Sequence, residues 1–189
     1  MLNYGFIIDD NDADEYSLTV EFDENYPLFK NDEKSFLKSS IEKQKKFRIS
    51  ENILDCQVID FFSYLRYMLY DESLDVLFKM MNENYKMLRD DLSSGFYLIS
   101  PLTVKNELRV LKKIHEICIK ELSKYPSSLE EDQELIRKEQ NNEITLTYNI
   151  RNCVIMRLGE KKILNFYLIL ARYCEDLFTK TEKVYLLYL

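Results

Sequence analysis

Residues 104–122 read VKNELRVLKKIHEICIKEL, and the spacing of apolar side chains in this stretch decides the fold class. Val104, Leu108, Leu111, His115, Cys118 and Leu122 recur at steps of four and three. Arg109, Lys112, Lys113, Glu116 and Lys120 fall on the opposite side. That is the period of an α-helix with one buried stripe. Pro101 leads into it, with Ser100 as the expected cap. Tyr125-Pro126 stops it, and Ser128 with Glu131 predicts a capping box for the next helix. From about Glu143 helical spacing continues nearly to the end, a run of roughly forty residues with Gly159 as its weak point, since glycine inside a helix costs about 1 kcal/mol.

Upstream the pattern changes. Ser17 to Phe22 alternates polar and apolar, placing Leu18, Val20 and Phe22 on one face of a strand, and Pro27 closes that region. A weak helical spacing runs from about Glu33 to Lys46 with Phe36, Leu37 and Ile41 inward, and the FRIS of residues 47–50 is a short extended candidate. Asp55 is placed to cap a helix whose apolar face carries Val58, Ile59, Phe62, Leu65 and Leu69. Leu74, Leu77, Phe78 and Met81 begin another helix, and Gly95 marks a loop. The fold expected is mainly α, a helical bundle after a short β-containing start.

Composition agrees. Three glycines and three prolines in 189 residues leave too little punctuation for a doubly wound fold, a sandwich or a barrel. The formal charge of −7 argues against nucleic acid as a general partner, because such binding rests on a net basic surface. The basic clusters Lys43, Lys45, Lys46, Arg48 and Arg151, Arg157, Lys161, Lys162 read as solvated faces. No apolar run is long enough to span a bilayer and no signal peptide is evident, so the sequence points to a cytoplasmic or nuclear protein without a membrane partner. Cys56, Cys118, Cys153 and Cys174 match no metal pattern, and the last three read as small apolar residues of helices.

Candidate chemistry is sparse. Asp10, Asp12, Asp14 and Glu21 occupy the first, third, fifth and twelfth places of a calcium loop. Glu15 stands where that loop needs glycine, so an acidic turn is expected and no metal site. His115 and Cys118 share a helix face, but nothing nearby supplies an orienting carboxylate or an oxyanion hole, and no catalytic residue is assigned.

Four stretches, in order, resemble one family. NYGFIIDDNDADEYSLTVEF (residues 3–22) resembles the end of SET domains of the Rubisco large-subunit methyltransferase type. DCQVIDFFSYLRYMLY (55–70) resembles a helix of that family's substrate-binding domain. KYPSSLEEDQELI (124–136) resembles its Tyr-x-Ser/Thr-Ser/Thr-x-Glu-x-Asp stretch, through Tyr125, Ser127, Ser128, Glu130 or Glu131, and Asp132. RNCVIMRLGEKKIL (151–164) resembles its Arg-x-Gly-Glu-Lys element, through Arg157, Gly159, Glu160 and Lys161.

The resemblance implies that residues 1–26 end a SET domain and 27–189 form a helical substrate-binding domain. It implies a protein substrate and a SET domain of the same polypeptide as partners, in a protein-lysine N-methyltransferase that uses S-adenosylmethionine, with histidine the target in some branches. The family's Asn-His motif is absent from this sequence, so the chain is expected to be inactive alone and to hold no cofactor. Tyr4 and Phe6 match the aromatics that line the cofactor and target-lysine region, and Arg151, Arg157, Lys161 and Lys162 are a candidate surface for the substrate protein. The structural alternative gives Arg157 and Glu160 to charge pairs and Gly159 to a close approach, with Lys161→Glu and Lys162→Glu leaving the melting temperature nearly unchanged. The competing functional reading is a helical protein-interaction adaptor unrelated to methylation, and a third is a hydrolase using His115.

Overall fold

The computed structural model describes residues 11, 14–22, 44–71 and 101–187, the side chains of 181–187 excepted. Tyr4, Phe6, Asp10 and Asp12, most of the helix expected over 33–46, the helix begun at Leu74 and the loop at Gly95 lie outside the described residues.

Strand β1 is Tyr16–Glu21, with Tyr16, Leu18 and Val20 buried and the intervening residues exposed, as the alternation requires. It pairs antiparallel with β2, Gln44–Ile49, in a register that sets Tyr16 opposite Ile49 and Glu21 opposite Gln44. The extended FRIS segment is therefore real, but its strand begins at Gln44, so residues 44–46, expected to end a helix, are extended instead. Cross-strand pairing and the inward turn of Phe47 and Ile49 override the helix preference of a short charged run.

Helix α1 spans Cys56–Met68 and starts where Asp55 places it: the Gln57 N–H donates to Asp55 Oδ1 at 2.8 Å. Val58 and Leu65 are buried as expected, yet so are Phe61, Tyr64 and Met68. The reason is position. α1 packs on β2 through Phe47, which meets Phe61 and Tyr64 at ring distances of 5.4 and 5.2 Å, and Phe62 reaches Tyr167 at 6.2 Å.

Helix α2 spans Val104–Leu122 and is capped by Thr103, not Ser100, the Asn106 N–H donating to Thr103 Oγ1 at 3.1 Å. Its buried residues are Asn106, Glu107, Val110, Leu111, Ile114, Cys118 and Glu121. The stripe is thus turned from the one expected: Val104 is exposed, and Leu108, His115 and Leu122 are half-buried. Glu107 and Glu121 lie inward, and a hydrophobic count reads both as surface.

Helix α3, Leu129–Gln140, has the predicted capping box, with Ser128 and Glu131 exchanging bonds at 3.1 and 2.7 Å. Asn142 turns the chain at φ 60°, a value asparagine tolerates better than most residues. Helix α4 then runs unbroken from Tyr148 to Leu187, forty residues through Gly159. Its half after Ile163 closes the main core with β1, β2, α1 and α2. Its half before Gly159 forms a second cluster, in which Val154, Ile155 and Leu158 pack on Ile136 of α3. Cys153, read as a small apolar residue, is exposed, while Cys118 is buried.

Leu65 is fully buried at the centre of the main cluster. Leu65→Ala should cost about 2–5 kcal/mol, read as a lower urea midpoint at unchanged slope.

Candidate functional site

One turn of α4, Arg157-Leu158-Gly159-Glu160-Lys161, carries two cations to one partner and its other residues to separate ones. Positions 157 and 161 lie one helical turn apart on the same face, so their cations converge. They converge on Asp132 in the first turn of α3. Arg157 donates to it in a fork, Nε to Oδ2 at 2.9 Å and Nη2 to Oδ1 at 2.5 Å, and Lys161 Nζ lies 2.5 Å from Oδ2. Lys161 also donates toward the carbonyls of Ser127 and Ser128 at 2.6 and 3.0 Å, and the Ser127 hydroxyl donates to Asp132 at 2.9 Å. Lys161 and Asp132 are each only 1% exposed.

The remaining residues extend the hub. Leu158 packs into the second core cluster. Glu160 accepts the Tyr125 hydroxyl at 2.7 Å, and the Lys161 ammonium sits 5.2 Å from the centre of the Tyr125 ring. On the far side, the Tyr16 hydroxyl of β1 donates to Glu121 at 2.7 Å, and Lys124 closes on the same carboxylate. Burial and the adjoining carboxylates push the Tyr16 and Tyr125 hydroxyls well above the usual tyrosine range.

A second buried ion pair, which the sequence pattern does not reveal, ties α1 to α2. Arg66 Nε and Nη2 donate to Glu107 at 2.9 and 2.7 Å, and Asn106 donates to the Arg66 carbonyl at 3.1 Å. Only the spacing of Glu107 from Val110 and Ile114, one turn apart on one face, could have signalled it.

The sequence-named basic residues therefore separate. Lys161 is internal and Arg157 is committed to Asp132. Arg151 is half-buried and pairs with Glu139 at 3.0 Å, and Lys162 is half-buried. The expectation that Lys161→Glu leaves stability unchanged is corrected: a second carboxylate would be forced against Asp132 in a site closed to water.

No reaction centre takes shape among the described residues. Cys118, three residues from His115, is buried, and burial, with the Glu121 charge adding, pushes its thiol up to about 12. Burial in that direction makes the thiol a poor nucleophile, so Cys118 lends the hydrolase reading no support. No cluster of three histidine, cysteine or carboxylate side chains suited to a metal occurs among the described residues. None of the described helices is long and apolar enough to cross a membrane. What does form is a polar groove of about 430 Å³ between β1 and α2, lined by Thr19, Gln44, Lys113, Glu116, Lys120 and Glu121.

The described residues form a helical scaffold held by internal ion pairs. The family comparison gives it a place: residues 23–164 match the Rubisco LSMT substrate-binding model, and the chain belongs to that family. The fold is shared with the structure of Rubisco LSMT bound to AdoMet, at TM-score 0.60 and 24% identity over 95% of this chain. It is shared equally with the SET domain of LSMT bound to lysine and AdoHcy, at TM-score 0.61 and 24% identity. The chain spans 38% of the length of each of those proteins. No curated protein sequence matches it.

Burial pushes the Asp132 carboxyl up, but hydrogen bonds from Arg157, Lys161 and Ser127 outweigh it and hold the group below the usual range. A folded value below the unfolded one of about 3.9 contributes stability that is present above that pH and lost as pH falls through the folded value. Asp132→Ala should cost about 3–5 kcal/mol at neutral pH by leaving Lys161 buried without its carboxylate, and should flatten the acid limb of a stability-versus-pH curve. Lys161→Glu should cost a similar amount.

Proposed function

We propose that this chain is the part of a SET-domain protein methyltransferase that binds the protein substrate, and that it performs no chemistry by itself. The family match over residues 23–164 carries the reading. The shared fold with LSMT structures that hold AdoMet, or lysine with AdoHcy, supports S-adenosylmethionine as the donor and a lysine-bearing protein as the acceptor in the complete enzyme. Residues 1–26 are then the end of the SET domain and 27–189 the substrate-binding domain, with β1 crossing over to pair with β2.

In this reading Tyr4 and Phe6 belong to the catalytic side. Arg151 and Lys162 supply the basic surface toward the substrate protein, over a frame that Arg157 and Lys161 hold from within. Methyl transfer needs a bound donor, a deprotonated amine and an aligned approach. This chain's contribution is to orient the protein that carries the amine.

The 189-residue chain titrated with S-adenosylmethionine should give no saturable heat, and the reading frame upstream of Met1 should encode an Asn-His motif and a tyrosine shortly before Tyr4. Micromolar one-to-one binding by the chain, or an upstream frame without those elements, would leave the helical adaptor as the better description.

A further inference from the structure

Gly159 stands in the middle of α4, where glycine costs about 1 kcal/mol relative to alanine. Its backbone does not require glycine, since no glycine among the described residues has positive φ. What occupies the space is Asp14. A Cβ on Gly159 would run into that carboxylate, whose Cγ lies 3.3 Å from where the Cβ would be. Asp14 is itself set by a local turn, its N–H donating to the Asn11 carbonyl at 2.9 Å and the Asn11 side chain donating back to Oδ1 at 3.1 Å.

Neighbouring contacts converge on the same place. Tyr16 is anchored to Glu121 at 2.7 Å, and Tyr125, just after α2, donates to Glu160, the residue after Gly159, at 2.7 Å. Residues 14–16 thus meet the helices at Gly159 of α4 and at Glu121 near the end of α2. The contact against Gly159 is made by the tip of one side chain, which could swing away, so the helices do not depend on it for their packing.

We infer that Gly159 is a docking seat for the segment at Asp14 to Tyr16, and that its task is to fix where the preceding chain enters the helical domain rather than to hold the helices together. The inference rests on the proposed function, under which that preceding chain is the catalytic domain. Phe6 lies eight residues before Asp14 in sequence. Gly159 and Tyr16 are then positioning residues for the substrate-binding domain.

The experiment compares the 189-residue chain with Gly159→Leu, Asp14→Ala and the double variant, by thermal melting and by timed digestion with a glutamate-specific protease. Cleavage after Glu15 reports release of the seated segment, and cleavage after the buried Glu107 reports global unfolding. Each single variant should raise cleavage after Glu15 about tenfold with the melting temperature and Glu107 cleavage little changed. The double variant should be no faster than the singles, because both break one contact. Unchanged cleavage after Glu15, a rise at Glu107 in step with Glu15, or additive effects would each overturn the seat. The readout is independent of methyl transfer. Its failure leaves the proposed function standing, and an upstream frame without a SET domain would remove that function while leaving the cleavage pattern in place.

Discussion

The ion pair between Lys161 and Asp132 is the constraint on which the arrangement of α2, α3 and α4 depends. Two groups, each about 1% exposed, have left water. Removing charges from water costs several kcal/mol per ion unless partners replace the lost hydration. The replacement is specific: two carbonyls and a hydroxyl from the Ser127–Ser128 turn for the ammonium, and the Arg157 fork for the carboxylate. The turn must therefore present its carbonyls inward, which fixes how α2 hands over to α3. The capping box of Ser128 and Glu131 locks that presentation from the solvent side. Such a pair contributes little net stability against an apolar alternative, but it penalises every packing in which either partner is left alone.

How much of this could be read in the sequence follows from what each signal measures. The caps at Asp55 and Ser128 and the forty-residue helix were legible because they are local: a side chain answers a backbone donor two or three residues away. The face of α2 was not. Periodicity ranks residues by hydrophobicity, so Glu107 and Glu121 count as outward, and the stripe is drawn through Val104 and His115 instead. Their partners, Arg66 and Tyr16, lie 41 and 105 positions away, where no local pattern connects them. The cap at Thr103 was missed for a smaller reason, since Ser100 before Pro101 satisfies the same rule.

The candidate site was legible in outline and misread in exposure. Arg157, Gly159, Glu160 and Lys161 stand out as a family element, but their residue types suggest a charged face. A lysine at an i, i+4 step from an arginine is normally solvated. Here α3 brings one aspartate between the two cations and converts a repulsive pair into a closed network. Family membership rests on the match over 23–164, and the geometry gives the element its tasks: Arg157 and Lys161 hold Asp132, Leu158 packs with α3 and Glu160 accepts from Tyr125.

The same turn explains how one helix can serve two cores. Leu158 belongs to the cluster with α3, and Ile163 and Leu164 belong to the main cluster with α1, α2 and the sheet. Between them lies Gly159, the point at which an isolated helix of this sequence would most readily fray or bend. Arg157 and Lys161 flank that weak point and bind it to α3, while Glu160 binds it to the turn after α2. The polar hub thus supplies from outside the stiffness that the glycine removes from within. The one helix thereby contributes to both clusters, and its glycine leaves room for Asp14.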